Sequence, residues 1–184
     1  MSKVKSGIRR EISSASTHRN QDMPDTQQVG ECEMDSHADT CCLGSNFIPI
    51  YFTGKICDVA PFLSDLPNQE GIPICSGATA FDDANGRTYI LIFNEALWFG
   101  DRLKNSLINP NQVRAFGISL CDDPTDPHRH LGMTILDNLI PFTMSGSTCH
   151  FTTRTPTNWE LENLLESTGP MVVTGGWALR TLAI

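Results

Sequence analysis

In the stretch ECEMDSHADTCCLG, residues 31–44, two carboxylates and an imidazole fall within the five residues from Asp35 to Asp39. A short strand, expected over residues 31–36, leads into them, and Cys41, Cys42, Leu43 and Gly44 follow. An Asp at a strand end, ahead of small hydroxyl and Ala residues, suits a tight loop. The hydroxyl can bond the backbone or a neighbouring loop and so hold the carboxylate in place. On these residues alone, an Asx-type turn with no catalytic role is the simpler reading.

Outward from that loop, short apolar runs are separated by Gly, Pro, Asn and Asp, the pattern of a strand-rich domain. Strands are expected over 47–52, 55–60, 72–80, 88–94 and 118–121. Asn85-Gly86 predicts a tight hairpin between the third and fourth of these, since both residues tolerate the positive φ that such a turn requires. The stretch NSLINPNQVRAFG, residues 105–117, reads as a strand end and then a short helix that starts near Pro110 and stops at Gly117. A polar connector, DDPTDPHRH at 122–130, marks an internal boundary. Beyond it, strands are expected over 131–136, 139–143 and 149–153. Thr157-Asn-Trp-Glu160 has the form of a capping box opening a helix over 158–167. The closing MVVTGGWALRTLAI can supply a further strand, with Gly175-Gly176 as a flexible break.

The bulk properties bound the possibilities. A chain of 184 residues has room for one domain plus tails. Its 40% apolar and 18% charged residues suit a globular protein. Residues 1–30 carry five basic and three acidic groups, a charge of +2, which leaves −10 on the remainder of a chain whose net charge is −8. That first segment has no apolar period and reads as a disordered leader. The acidic remainder repels phosphate backbones, so direct nucleic-acid binding is not expected. With no apolar run fit for a secretory segment or a membrane span, the seven cysteines are expected to be reduced and the compartment cytoplasmic.

Asp35-Ser36-His37-Ala38-Asp39 resembles the Asp-Ser/Thr-Gly-Ala-Asp active-site loop of retropepsins, the aspartic peptidases of retroviruses and retrotransposons. Residues 105–117 resemble the Asn-Leu-Leu-Ser-x-x-Gln-Leu-x-x-x-Gly stretch that closes the peptidase region of copia-type elements. There it forms a strand and a C-terminal helix beneath the active site. The separation of the two stretches is about that of one retropepsin subunit. GKICDVAPF at 54–62 and the hairpin into YILIFNEALWFG at 89–100 follow the family order, with Asn94-Glu-Ala-Leu-Trp98 in the place of the copia-type Val-Leu-Tyr strand. The resemblance covers residues 31–122, about half the chain. Residues 123–184 resemble the post-peptidase segment of copia-like polyproteins only loosely.

This resemblance implies a mainly β fold: a retropepsin-like closed β-barrel with one short helix over 31–122, then a β-rich extension with one helix over 123–184. It implies hydrolysis of a polypeptide substrate by water held between two Asp carboxylates, one from each subunit of a homodimer, with no cofactor and no metal. On this resemblance Asp35 is expected to be the catalytic carboxylate. Ser36, His37, Ala38, Asp39 and Thr40 complete the loop, with the Ser36 hydroxyl holding it and Ala38 and Asp39 lining the cleft. The segment 60–71 is the candidate flap.

Two positions depart from the pattern. His37 and Asn109 stand where the family carries Gly, and an imidazole brings a Cβ and a ring where Gly permits unusual backbone angles. An alternative is therefore a catalytically inactive relic serving as a structural or assembly module. A second alternative is a metal-binding hydrolase, because Asp35-x-His37-x-Asp39 places O, N and O on one side of an extended segment. That spacing resembles the Asp-Ala-His-x-Asp manganese motif of ureohydrolases, whose other motifs are missing here. His128 and His130 near Asp126 read as solvated loop residues, and Cys41-Cys42 as packing. Trp98, Trp159 and Trp177 read as core or interface anchors.

Overall fold

The computed structural model describes residues 27–60, 65, 67–135, 137–166, 172–174 and 177–182. The fold is mainly β. Its elements are β1 (Val29–Met34), β2 (Cys42–Gly44), β3 (Ile48–Val59), β4 (Gln69–Asp82), β5 (Thr88–Gly100), β6 (Ser106–Ile108), α1 (Pro110–Ala115), β7 (Ser119–Cys121), β8 (Gly132–Ile135), β9 (Asn138–Pro141), β10 (Thr143–Ser145), β11 (Thr148–Arg154), α2 (Asn158–Glu166), β12 (Val172–Thr174) and β13 (Trp177–Leu182). Among the described residues no helix is long and apolar enough to cross a membrane.

Several boundaries differ from the expected ones for local reasons. β1 begins at Val29 and ends before Asp35, which leaves Asp35 and Ser36 in the loop. The strands expected over 47–52 and 55–60 are one strand, β3. Its register against β4 shifts between Phe52 and Ile56, where Gly54 takes a φ of 76°. There the Thr53 hydroxyl donates to the Ile74 carbonyl at 2.9 Å and accepts from the Lys55 N–H at 3.1 Å, so the bulge is stitched rather than broken. The hairpin at Asn85-Gly86 forms, but through a longer loop in which Gly86 alone has positive φ. The Asp83 carboxylate takes the place of the second left-handed residue by accepting from the Asn85 and Arg87 N–H groups at 2.8 and 2.9 Å. The strand expected to stop at Asn94 runs on to Gly100 through a bulge at Glu95, whose φ is 53°. β10 was not expected, and the closing segment supplies two strands, β12 and β13.

Strand pairing passes from β5 through β2, β6, β1 and β11 to β4, and β4 pairs back on β5, so the hydrogen-bonded path is ring-like. β7, β8 and β9 form a separate sheet. Residues on both sides of position 122 share these sheets: β11 lies between β1 and β4, β13 pairs with β5, and β7 pairs with β8.

β5 is buried on both faces, which explains its continuous apolar run. Tyr89, Leu91 and Phe93 face the main core, and Ile90 and Ile92 pack with Ala78, Ala80 and Leu161 of α2. Phe93 meets Phe47 edge-on at 5.1 Å. Trp98 packs against this core, whereas Trp159 is exposed and is no core anchor. The Trp177 side chain lies outside the described residues.

A buried polar cluster centred on Asn46 is hydrogen-bonded throughout. Asn46, fully buried, donates to the Thr153 hydroxyl at 2.8 Å and accepts from the Ser106 hydroxyl at 2.6 Å, while its carbonyl accepts from Thr79 at 2.7 Å. The carboxamide thereby joins β6 to β11, and the backbone carbonyl of the same residue ties in β4. Gly30 leaves room for it, since a Cβ there would come within 3.1 Å of the Asn46 Cβ. Replacing Asn46 by Ala removes the acceptor of the Ser106 hydroxyl and the amide donor to Thr153, and we expect a loss of about 2 kcal/mol in urea denaturation. A variant as stable as the parent would show that the amide fixes nothing.

The expected capping box forms, with the Glu160 N–H on the Thr157 hydroxyl and the Thr157 N–H on the Glu160 carboxylate. Arg154 then grips Glu160 at 2.7 and 2.9 Å and Asp82 at 2.7 and 3.0 Å. Burial alone would raise the Glu160 carboxyl, but the hydrogen bonds from Arg154 and Thr157 outweigh it and hold the group below its ordinary value. Asp82 is likewise lowered, with burial opposed by Arg154 and Thr88. Both groups are more acidic folded than unfolded. Their contribution is complete above the unfolded carboxylate range, about pH 4 to 4.5, and is lost as pH falls through the folded values. Arg154→Met should therefore cost about 2 to 3 kcal/mol at neutral pH, somewhat less than for a fully buried pair. The difference from the parent should shrink toward about pH 3; a difference independent of pH would contradict this assignment.

Candidate active-site loop

Asp35 follows the last residue of β1, where the parallel β1–β6 pairing ends at Met34 opposite Ile108. Its N–H donates to the Ile108 carbonyl at 2.9 Å, extending that pairing by one bond. The carboxylate is about one third exposed, and its Oδ1 accepts from the His37 N–H at 2.9 Å, which makes the local turn. The His37 ring is 96% exposed, with Nδ1 3.9 Å from Asp35 Oδ1. Glu95 and Asp137 are the only non-glycine residues with positive φ among those described, so His37 fits the loop without a left-handed backbone. Ser36 and Asp39 are exposed, and Ala38 is half-buried.

The hydroxyl that fastens the loop is that of Thr40, rather than that of Ser36 as expected. Thr40 Oγ1 lies 3.2 Å from the Glu95 carbonyl and 3.1 Å from Gln112 Oε1. Gln112 is a residue whose role the sequence did not disclose. Its Oε1 also accepts from the Cys41 N–H at 2.7 Å, and its Nε2 donates to the Glu95 carbonyl at 3.4 Å. One side chain of α1 thus joins the end of the loop to the β5 bulge. The left-handed turn at Glu95 belongs to the same arrangement, because it lies where this carbonyl is taken by groups outside the strand ladder.

Asn109 does two things that Gly could not. Its Oδ1 caps α1 by accepting from the Asn111 and Gln112 N–H groups at 2.8 and 3.2 Å, and its Nδ2 donates to the Ala38 carbonyl at 2.5 Å. The Asn109 N–H also points at the Cys41 sulfur, 3.3 Å away. Loop and helix, 71 residues apart in the chain, are held as one piece.

The cysteines beside the loop are packing groups. Burial pushes the Cys41 thiol up to about 12. Cys42 rises to about 11, first through burial and then through the nearby Asp35 carboxylate and Cys57. Neither is a thiolate near neutral pH. Among the described residues no group of three or more His, Cys, Asp or Glu side chains is placed to hold a metal ion, so Asp35, His37 and Asp39 do not converge on one point, nor do Asp126, His128 and His130. In the candidate flap, residues 61–64 and 66 lie outside the described residues. The arms are β3 and β4, and β3 exposes Ile50, Tyr51, Phe52 and Ile56.

No known protein family, curated protein or solved structure matches this chain. Its chemistry has to be read from its own residues. Asp35 offers an accessible carboxylate at the end of a strand, on a loop tied from below to α1. Alone, such a group can accept or donate a proton. Paired with a second carboxylate, it could divide the acid and base roles.

Asn109→Ala removes both the cap and the tether to Ala38. We expect a loss of about 1 to 2 kcal/mol and faster amide exchange at residues 38–41, with protection in α2 unchanged. Unaltered exchange in the loop would show that Asn109 does not hold it.

Proposed function

We propose that the chain is the aspartic endopeptidase of a retrotransposon polyprotein, acting as a homodimer in the cytoplasm. Asp35 and its symmetry mate would hold the attacking water. Two carboxylates that close cannot both ionise readily, so they would share a proton, one serving as general base and the other as acid. The ring-like pairing of β5, β2, β6, β1, β11 and β4 supports reading the sheet as a retropepsin-like closed barrel. The β3–β4 hairpin is the natural cover, and an extended polypeptide would lie beneath it as an added strand.

One observation carries this reading. The two stretches that resemble the family motifs, around Asp35 and over 105–117, meet through Asp35–Ile108, Ala38–Asn109 and Cys41–Gln112 hydrogen bonds. A chance likeness in either stretch would not require the other to lie beneath it.

A second reading, a catalytically silent relic kept as an assembly module, draws on His37. Its exposed ring stands on the loop that would face the partner copy.

Cleavage of a peptide library at mildly acidic pH, blocked by a pepstatin-type inhibitor, is the expected activity. Asp35→Asn should reduce it by about 10² to 10⁴-fold; cleavage that survives this substitution contradicts the aspartic mechanism. A folded dimer that leaves the library intact while His37→Gly cleaves it would mean that the imidazole alone silences the site. Inertness of both favours the assembly module.

A further inference from the structure

Away from the Asp35 loop, the sheet of β7, β8 and β9 carries a cleft of about 290 Å³. Its floor includes a row of exposed cross-strand neighbours, with Ser119 opposite Thr134 and Thr134 opposite Leu139. Arg129 and His130 line it from the connector after β7, and Asp137 lines it from the tight β8–β9 turn. Arg129 is pinned against the sheet by donating to the Leu120 carbonyl at 2.7 Å. The rest of its guanidinium fork has no partner among the described residues, and the same is true of the Asp137 carboxylate and of the Ser119 and Thr134 hydroxyls. Asp137 adopts a left-handed backbone conformation, φ 64°. Leu139 is 42% exposed and adds an apolar surface to the lining.

A cation and a carboxylate lining one small cleft restrict what fits. A phosphate would satisfy Arg129 but meet the Asp137 charge, and an apolar molecule would cover both charges without pairing either. A zwitterion complements both. The volume sits at the low end of ligand clefts, which run from roughly 300 to 1,000 Å³, and suits a molecule of single-residue size.

We infer that this cleft binds a free α-amino acid with an apolar side chain. The carboxylate lies on the Arg129 fork and the Ser119 and Thr134 hydroxyls, the ammonium lies on Asp137, and the side chain lies over Leu139. This assignment is independent of the Asp35 chemistry. Titrating the full chain with leucine, followed by amide NMR shifts, should give saturable changes confined to the residues of the cleft. N-acetylleucine, which lacks the cation, and leucinamide, which lacks the anion, should each bind at least about tenfold more weakly. Arg129→Gln should abolish the leucine response while shifts elsewhere in the chain stay those of the folded parent. Absence of a saturable response to leucine overturns the inference, as does binding of N-acetylleucine or inorganic phosphate as tight as that of leucine.

Discussion

The buried carboxamide of Asn46 is the constraint on which the rest of the architecture depends. It sits where the turn after β2 passes under β6 and β11, and it is the point at which strands far apart in sequence are required to be in register. An unpaired amide there would cost more than any neighbouring apolar contact returns, so alternative registers of β6 or β11 are penalised. Since β6 pairs in parallel with β1, fixing β6 also fixes where β1 ends, and therefore where Asp35 emerges.

From that point the loop is held by side-chain amides rather than by packing. Asn109, the cap of α1, and Gln112, in its first turn, reach different points of the loop, one the Ala38 carbonyl and the other the Cys41 N–H. The helix is too short to be stable by itself. Its stability comes from Val113 in the core and from the Asn109 cap, so loop and helix order each other. A carboxylate carried on such a support loses little further freedom when a second group approaches, which is the physical requirement for pairing two of them.

Much of this was legible in the sequence, and the remainder was hidden for identifiable reasons. Strand content, α1 and the Thr157–Glu160 box follow from local patterns that the structure satisfies, whereas the proximity of the two motif stretches was implied only by the family resemblance. The role of Asn46 was invisible, because in Ser45-Asn46-Phe47 an Asn looks like an ordinary turn residue and only the arrival of Ser106 and Thr153 gives it work. Gln112 was in plain sight as a helix residue, but its partners lie 71 and 72 positions away. The fusion of β3 and the extension of β5 escaped notice because each passes through a bulge, at Gly54 and Glu95, where the alternation that marks a strand is interrupted. The departure at Asn109 looked like a defect against a family pattern; in the fold it is a cap and a tether.

The central claim is that two copies of Asp35 form one site. The stoichiometry of a pepstatin-type inhibitor, measured by titration calorimetry on the full chain at mildly acidic pH, tests it directly. The account predicts one inhibitor bound per two chains, lost in Asp35→Asn. Binding of one inhibitor per chain, or binding untouched by that substitution, would contradict it.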